Sequence, residues 1–214
     1  VKAITLIDAA QAASHIKIDV QALNCDFLAL SSHKMYGPTG VGVLYGRRDL
    51  LEAMPPYQGG GEMIKDVSFS GTTYNDIPHK FEAGTPNIGA VIAFKYAMDF
   101  IDELGHEHIQ TYEHELLEYA NNKLRSIPGF RPIGTADEKA SVISFLIDNV
   151  HQYDLGQLLD ARGIAVRTGH HCTQPLMDHL GIDGTVRASF AVYNTKEEID
   201  VFCDALVSII KKFD

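Results

Sequence analysis

The sequence of 214 residues predicts the end of an α/β domain followed by a second, α+β domain. Three short apolar runs alternate with helical or loop segments, near residues 3–7, 26–31 and 41–45. Each run is apolar on both faces, which is typical of strands in a parallel sheet covered by helices. From about residue 105 a second unit begins with a helix that runs to about residue 126. We therefore place a first domain at residues 1–104 and a second at residues 105–214.

The first domain is predicted to end on a helix over about 88–104, because apolar residues recur there at helical spacing. They are Ala90, Phe94, Ala97 and Ile101. Residues 67–69 and the segment after Gly71 predict a small hairpin. The glycine-rich segment 58–63 matches no phosphate-binding loop, and we expect it to be a close-packing or interface loop.

The second domain is predicted to alternate between helices and strands. The helices cover about 105–126, 153–162 and 195–212, and the strands lie near 130–133, 141–147 and 164–166. Thr195 and Glu198 form the sequence pattern of a capping box at the start of the last helix. Its core-facing residues are predicted to be Ile199, Phe202, Leu206 and Ile209.

Composition restricts the classes of partner. A net charge of −10 without a basic run argues against a nucleic-acid surface. The longest apolar stretches are too short to span a membrane, so we expect no membrane insertion. Three widely spaced cysteines favour a reducing compartment over a disulfide framework, and we expect a cytoplasmic protein. Cys25 and Cys203 lie in apolar surroundings and are predicted to be core residues.

Ionisable residues stand where two predicted strands end. The first strand leads to Asp8, and the second to Ser31, His33 and Lys34. Ligands of open α/β sheets bind at the carboxyl ends of strands. Singly, Asp8 is compatible with a helix cap and Lys34 with an extended surface side chain. Together they match the needs of pyridoxal phosphate, which takes a lysine amine for a Schiff base and a carboxylate at its pyridine nitrogen.

Cys172 lies in a loop bounded by glycine and proline, so we expect its thiol to be accessible. His170, His171 and Arg167 are candidates for stabilising a thiolate there. Three consecutive ligand-type residues rarely face one ion, so we predict no metal site within the chain. A zinc ion shared with a partner protein and a purely structural thiol remain alternatives.

Arg187 stands within a short strand of small and apolar residues. A buried guanidinium requires an anion, and its fork matches a carboxylate. The anion is either a ligand or one of the chain's own 28 acidic residues.

Four motifs of this chain resemble, in order, those of a known family. They are Asp8-Ala9-Ala10-Gln11, Ser31-Ser32-His33-Lys34 with the following Gly37-Pro38-Thr39-Gly40, Phe81-Glu82-Ala83-Gly84-Thr85-Pro86-Asn87, and Arg167-Thr168-Gly169-His170-His171-Cys172. The chain resembles class V pyridoxal-phosphate enzymes over essentially its whole length. The last motif resembles that of the group II, Suf-type cysteine desulfurases, a group that includes selenocysteine lyases.

This resemblance implies the C-terminal portion of a fold-type I, aspartate-aminotransferase-like enzyme whose N-terminal half is missing. The chain would comprise the end of the large, mostly parallel sheet domain and the small C-terminal domain with the catalytic cysteine loop. On its own, such a portion is expected to be inactive.

The resemblance also implies a role for each motif residue. Lys34 and Cys172 would be catalytic, Arg187 and Arg167 would bind the substrate, and the cofactor pyridoxal 5'-phosphate would be bound by Asp8, Gln11, Ser31, His33, Lys34 and Thr85. Thr85 would reach the cofactor phosphate of the other subunit of a homodimer. L-cysteine, or L-selenocysteine, would be converted to L-alanine. The sulfur would pass through a persulfide on Cys172 to a Suf-type acceptor protein for iron–sulfur cluster assembly.

Two alternatives remain open at this stage. One is a selenocysteine lyase or another class V, aminotransferase-like enzyme. The other is a non-catalytic fragment or zinc-binding interaction module built on the His-His-Cys loop.

Overall fold

The computed structural model describes residues 3–136 and 138–213, and the chain divides into two compact units, Val1–Glu107 and His108–Asp214. The predicted domain boundary at 104/105 falls at the end of the last helix that lies wholly within the first unit. Residues 1, 2, 137 and 214 of the two predicted domains lie outside the described residues.

The first unit contains a three-stranded sheet in the order β1-β2-β3. Its strands are β1 (Leu6–Asp8), β2 (Phe27–Ser31) and β3 (Gly42–Gly46). β1 and β2 are parallel, whereas β2 and β3 are antiparallel, so the prediction of a parallel sheet is wrong for β3. Residues 32–41 connect β2 to β3, and a parallel crossover needs a longer connection.

The expected burial of these strands on both faces is not met within the described residues. Leu6, Val43 and Leu44 are exposed. Apolar composition predicted the strands themselves, but it did not predict which faces are covered in this chain.

The other elements of the first unit are short except for one helix. They are α1 (Val20–Leu23), α2 (Arg48–Ala53), the hairpin strands β4 (Ile64–Ser68) and β5 (Gly71–Tyr74), and α3 (Ile88–Leu104). The hairpin and the bounds of α3 confirm the predictions. Of the four predicted core residues of α3, Phe94, Ala97 and Ile101 are buried and Ala90 is partly buried. The glycine-rich segment is mostly exposed, and it is joined to the loop before α3 by a hydrogen bond of 2.9 Å from Gly84 N to the Gly61 carbonyl.

The second unit packs helices against a four-stranded antiparallel sheet in the order β6-β7-β9-β8. The strands are β6 (Phe130–Ile133), β7 (Val142–Ile147), β8 (Arg167–Gly169) and β9 (Thr185–Ser189). The helices are α4 (His106–Leu124), whose first two residues belong to the first unit, α5 (Gln152–Asp160), α6 (Gln174–Leu180) and α7 (Lys196–Ile210). Residues of α4, α5, α7, β7 and β9 form one apolar core.

The last helix confirms its predicted start. Thr195 Oγ1 accepts a hydrogen bond from Glu198 N at 3.3 Å, and the Glu198 carboxylate accepts one from Thr195 N at 3.1 Å. This capping box satisfies backbone donors that would otherwise be unpaired. The four predicted core residues of α7 are buried, as are Cys203 and Cys25.

The predicted strand over 164–166 is wrong, because the strand begins at Arg167. Ile164 and Val166 are partly buried and pack against the core. Their apolar character therefore reflects side-chain packing of a loop and not a ladder of strand hydrogen bonds.

None of the helices within residues 3–136 and 138–213 combines the length and the apolar character needed to cross a bilayer.

Candidate active site

In the first unit, two neighbouring parallel strands end at the same edge of the sheet. Asp8 is the last residue of β1 and lies opposite Ala29 of β2. The backbone pairing continues with a hydrogen bond of 2.8 Å from Ala9 N to the Ala29 carbonyl. β2 ends at Ser31, so the segment that carries His33 and Lys34 begins at the edge where Asp8 stands.

The carboxylate of Asp8 is oriented by its own backbone. Asp8 Oδ1 accepts a hydrogen bond of 2.9 Å from Ala10 N, and the side chain is exposed. Gln11 follows in the same turn and is also exposed. This places a fixed negative charge and an amide group after the first strand.

Lys34 lies in a single 3₁₀ turn, Ser32–Lys34, that follows β2. The turn is held by the Ser32 carbonyl, which accepts hydrogen bonds from Met35 N at 2.8 Å and Gly37 N at 3.0 Å. His33 and Lys34 are exposed and Ser31 is partly buried. Lys34 is therefore an exposed residue of a hydrogen-bonded turn, and not the buried end of a strand.

Ser32 anchors this turn from inside. It is fully buried, and its Oγ finds no hydrogen-bond partner among the described residues. A Cβ on Gly37 would lie 2.1 Å from that oxygen, so a side chain at position 37 would displace the turn. Ser32 and Gly37 belong to the Ser31–Gly40 motif, but sequence patterns predict no role for either residue.

Thr85 is exposed in the loop that enters α3, between Gly84 and Pro86. Asn87 caps the helix, since its Oδ1 accepts a hydrogen bond of 3.3 Å from Ala90 N. Among the described residues, no hydrogen bond joins Thr85 to Asp8 or Lys34.

In the second unit, the turn between β8 and α6 carries Cys172. The backbone is left-handed at two successive residues, with φ of 54° at His171 and 64° at Cys172. Thr173 closes the turn, because its N and Oγ1 donate to the His170 carbonyl at 2.9 Å and 2.8 Å. Cys172 is exposed, as the bounding glycine and proline predict.

The cation beside the thiol is an arginine. Arg167 Nη2 lies 3.3 Å from Cys172 Sγ. The His171 ring instead meets Thr185, with Nε2 at 2.8 Å from Oγ1 and 3.1 Å from the carbonyl oxygen. Burial, and then the charge of Arg187, lower the pKa of His171, so this ring is a poor source of positive charge at neutral pH.

Arg187 and Arg167 face each other across adjacent strands, in direct register between β9 and β8. Burial, and then the charge of Arg167, lower the pKa of Arg187, although a guanidinium remains protonated at neutral pH. Arg187 Nε is buried without a hydrogen-bond partner in the described part of the chain, and no acidic residue there forms an ion pair with Arg187. An internal ion pair of Arg187 is therefore not observed among the described residues, and Arg187 and Arg167 bring two positive charges to neighbouring positions of the sheet.

Within residues 3–136 and 138–213, no three His, Cys, Asp or Glu side chains are arranged to hold a metal ion.

Comparison with known proteins identifies the family. The family model described as "Aminotransferase class-V" matches residues 1–202. The chain belongs to the aminotransferase class-V family. This finding confirms the broader part of the resemblance that the Asp8 and Lys34 motifs indicate.

Relatives of this class-V chain include named cysteine desulfurases. It is 51% identical over 207 residues to the "Probable cysteine desulfurase" of Xylella fastidiosa (strain 9a5c), an alignment that covers 97% of this chain and 50% of that protein. The chain spans about half the length of the relatives it matches.

Solved structures give the same result for the fold. The structure of the cysteine desulfurase CsdA of Escherichia coli matches this chain with a TM-score of 0.93 and 43% identity. The match covers 99% of this chain and 52% of the CsdA chain. The structure of the cysteine desulfurase of Thermococcus onnurineus NA1 matches this chain with a TM-score of 0.94 and 40% identity. That match covers 98% of this chain and 53% of the Thermococcus chain. The α/β fold is thereby confirmed and is consistent with fold type I.

Proposed function

We propose that the protein is a cysteine desulfurase that uses pyridoxal 5'-phosphate to convert L-cysteine to L-alanine and retains the sulfur as a persulfide on Cys172. The observation that carries this proposal is an exposed thiol whose Sγ lies 3.3 Å from the Arg167 guanidinium. Arg167 pairs in strand register with Arg187, whose Nε has no hydrogen-bond partner among the described residues. Relatives that are 51% and 43% identical to this chain are named as a probable cysteine desulfurase and a cysteine desulfurase, which supports the proposal.

The residues at the carboxyl ends of β1 and β2 fit this cofactor by their chemistry. Asp8 would keep the pyridine nitrogen protonated, and Gln11, Ser31 and His33 would bind the ring oxygen and the phosphate. Lys34 would hold the cofactor through its amine. When bound, pyridoxal phosphate supplies an electron sink that weakens bonds at the substrate's α-carbon.

The Arg187 guanidinium would hold the substrate carboxylate, because a planar fork binds both carboxylate oxygens. Its half-buried position strengthens this interaction relative to one in open water. Arg167 adds a second positive charge to the same anion site.

Lys34 and Cys172 would carry out the proton and sulfur transfers. The Lys34 amine would accept the proton from the substrate's α-carbon. The Cys172 thiolate would attack the substrate sulfur, forming one sulfur–sulfur bond while the carbon–sulfur bond breaks and the carbon is protonated. One L-cysteine and one thiol thus give one L-alanine and one persulfide, without an external oxidant or reductant.

The finer parts of the proposal concern subgroup and partners. The Arg167–Cys172 motif supports membership in the Suf-type group. For that group we propose that the sulfur passes to an acceptor protein for iron–sulfur cluster assembly. We further propose a cytoplasmic homodimer in which Thr85 contacts the cofactor phosphate of the other subunit. L-selenocysteine is a second candidate substrate.

The test of this function uses the full-length protein, loaded with pyridoxal phosphate and supplied with L-cysteine and dithiothreitol. We expect equal amounts of L-alanine and sulfide, since the reductant releases the persulfide sulfur. Loaded protein that forms neither product would contradict the proposal. Alanine from L-selenocysteine alone would identify a selenocysteine lyase instead.

Arg187→Met should raise the KM for L-cysteine by about 10- to 100-fold, since charge-assisted hydrogen bonds contribute about 1.5–3 kcal/mol. Steady-state alanine formation measures the change. Arg131→Met is the matched control, because Arg131 is an exposed arginine on β6 of the same sheet. Equal KM values in the Arg187 variant and the control would refute the role of Arg187.

A further inference from the structure

The turn that carries Cys172 adopts a conformation that its own residues disfavour. Gly169 has a φ of 104°, and His171 and Cys172 are both left-handed. Left-handed backbone costs free energy for residues with a Cβ, and two in succession are unusual. Such a conformation persists only where surrounding contacts enforce it.

The His171 ring supplies such a contact from the turn to the sheet. Its Nε2 lies 2.8 Å from Thr185 Oγ1 and 3.1 Å from the Thr185 carbonyl oxygen. Thr185 is the first residue of β9 and is almost fully buried. The ring therefore ties a strained turn to a rigid strand of the sheet.

The surroundings of the ring favour one tautomer. A ring with hydrogen on Nε2 can donate to the Thr185 carbonyl, which only accepts, whereas a ring with hydrogen on Nδ1 could only accept from Thr185 Oγ1. Nδ1 is buried without a partner among the described residues. A hydrogen on Nδ1 would be a buried donor without an acceptor, so the tautomer with hydrogen on Nε2 is favoured.

We propose that His171 is a positioning residue: its hydrogen bond from Nε2 to Thr185 holds Cys172 in the left-handed conformation that places Sγ beside Arg167. This inference rests on the proposed function, in which Cys172 is the sulfur acceptor. His171 itself touches neither the thiol nor the substrate in this role.

Two substitutions separate the hydrogen bond from the size of the side chain. The distal nitrogen of glutamine reaches about as far as Nε2 of histidine, whereas the nitrogen of asparagine reaches only about as far as Nδ1. His171→Gln should therefore keep the bond to Thr185, and His171→Asn should lose it. His179→Gln, at an exposed position of α6, controls for the change of residue type.

The readout is the ratio of the rates at which iodoacetate and iodoacetamide alkylate Cys172, measured by peptide mass spectrometry on the full-length protein. Both reagents attack the same thiolate, so exposure and thiolate fraction cancel in the ratio. Only the anionic reagent is favoured by a guanidinium beside the sulfur. Arg167→Met gives the ratio without that cation.

We expect wild-type ratios for His171→Gln and His179→Gln. The ratio for His171→Asn should fall by roughly two- to fivefold, as for loss of one solvent-screened charge pair, and should reach the Arg167→Met value. A wild-type ratio in His171→Asn, or an equal loss in the Gln and Asn variants, would overturn the proposal. The ratio needs no turnover, so a protein that shows this pattern but forms no alanine would contradict only the proposed function.

Discussion

Cys172→Ser is expected to lower the rate of alanine formation from L-cysteine by at least about a hundredfold, because a serine hydroxyl does not ionise at neutral pH and is a weak nucleophile. Cofactor binding should be unchanged, since Asp8 and Lys34 are untouched. The absorption spectrum of the loaded protein and a steady-state assay measure the two properties. The variant should retain activity on L-selenocysteine, whose weaker carbon–selenium bond needs less help from a nucleophile.

Cys203→Ala is the matched control for this prediction. Cys203 is buried in the core, and burial raises its pKa to about 11, so its thiol is unreactive at neutral pH. We expect this variant to keep the wild-type rate per folded molecule. A wild-type rate in Cys172→Ser, or a comparable loss in Cys203→Ala, would show that Cys172 is not the sulfur acceptor.

Lys34→Ala should reduce turnover by about 10²- to 10⁴-fold, the usual contribution of a positioned proton-transfer group, and should also weaken retention of the cofactor. Borohydride treatment of the loaded wild-type protein should attach the pyridoxyl group to Lys34, as peptide mapping would show. Lys65→Ala, in the exposed hairpin strand β4, is the control and should behave as wild type. Attachment at another lysine would end the assignment of Lys34.

Local patterns in the sequence predicted much of the fold. The bounds of α3, the capping box of α7 and the exposed position of Cys172 each depend on a few neighbouring residues with one dominant preference. The wrong strand over 164–166 has the opposite cause. An apolar run of three residues is compatible with a strand or with a packed loop, and only the distant pairing of β8 with β9 decides between them.

For the candidate site, as for the fold, the sequence predicted what depends on neighbouring residues and missed what depends on residues far apart in the chain. Sequence motifs named the chemical groups, including Asp8, Lys34 and Cys172. They did not show that Arg187 pairs with Arg167, because strand register joins residues that are far apart in the chain. They also offered His171 as a source of charge for the thiol, whereas its bond to Thr185 gives the ring a different contact.

The most direct test of the proposed function is the location of the sulfur after one turnover. Full-length protein loaded with pyridoxal phosphate would be mixed with heavy-sulfur L-cysteine, alkylated within the reaction, digested and mapped by mass spectrometry. We expect one additional heavy sulfur atom on the Cys172 peptide and none on the peptides of Cys25 and Cys203. Heavy sulfur on either buried cysteine, or alanine formation without labelled Cys172, would contradict it.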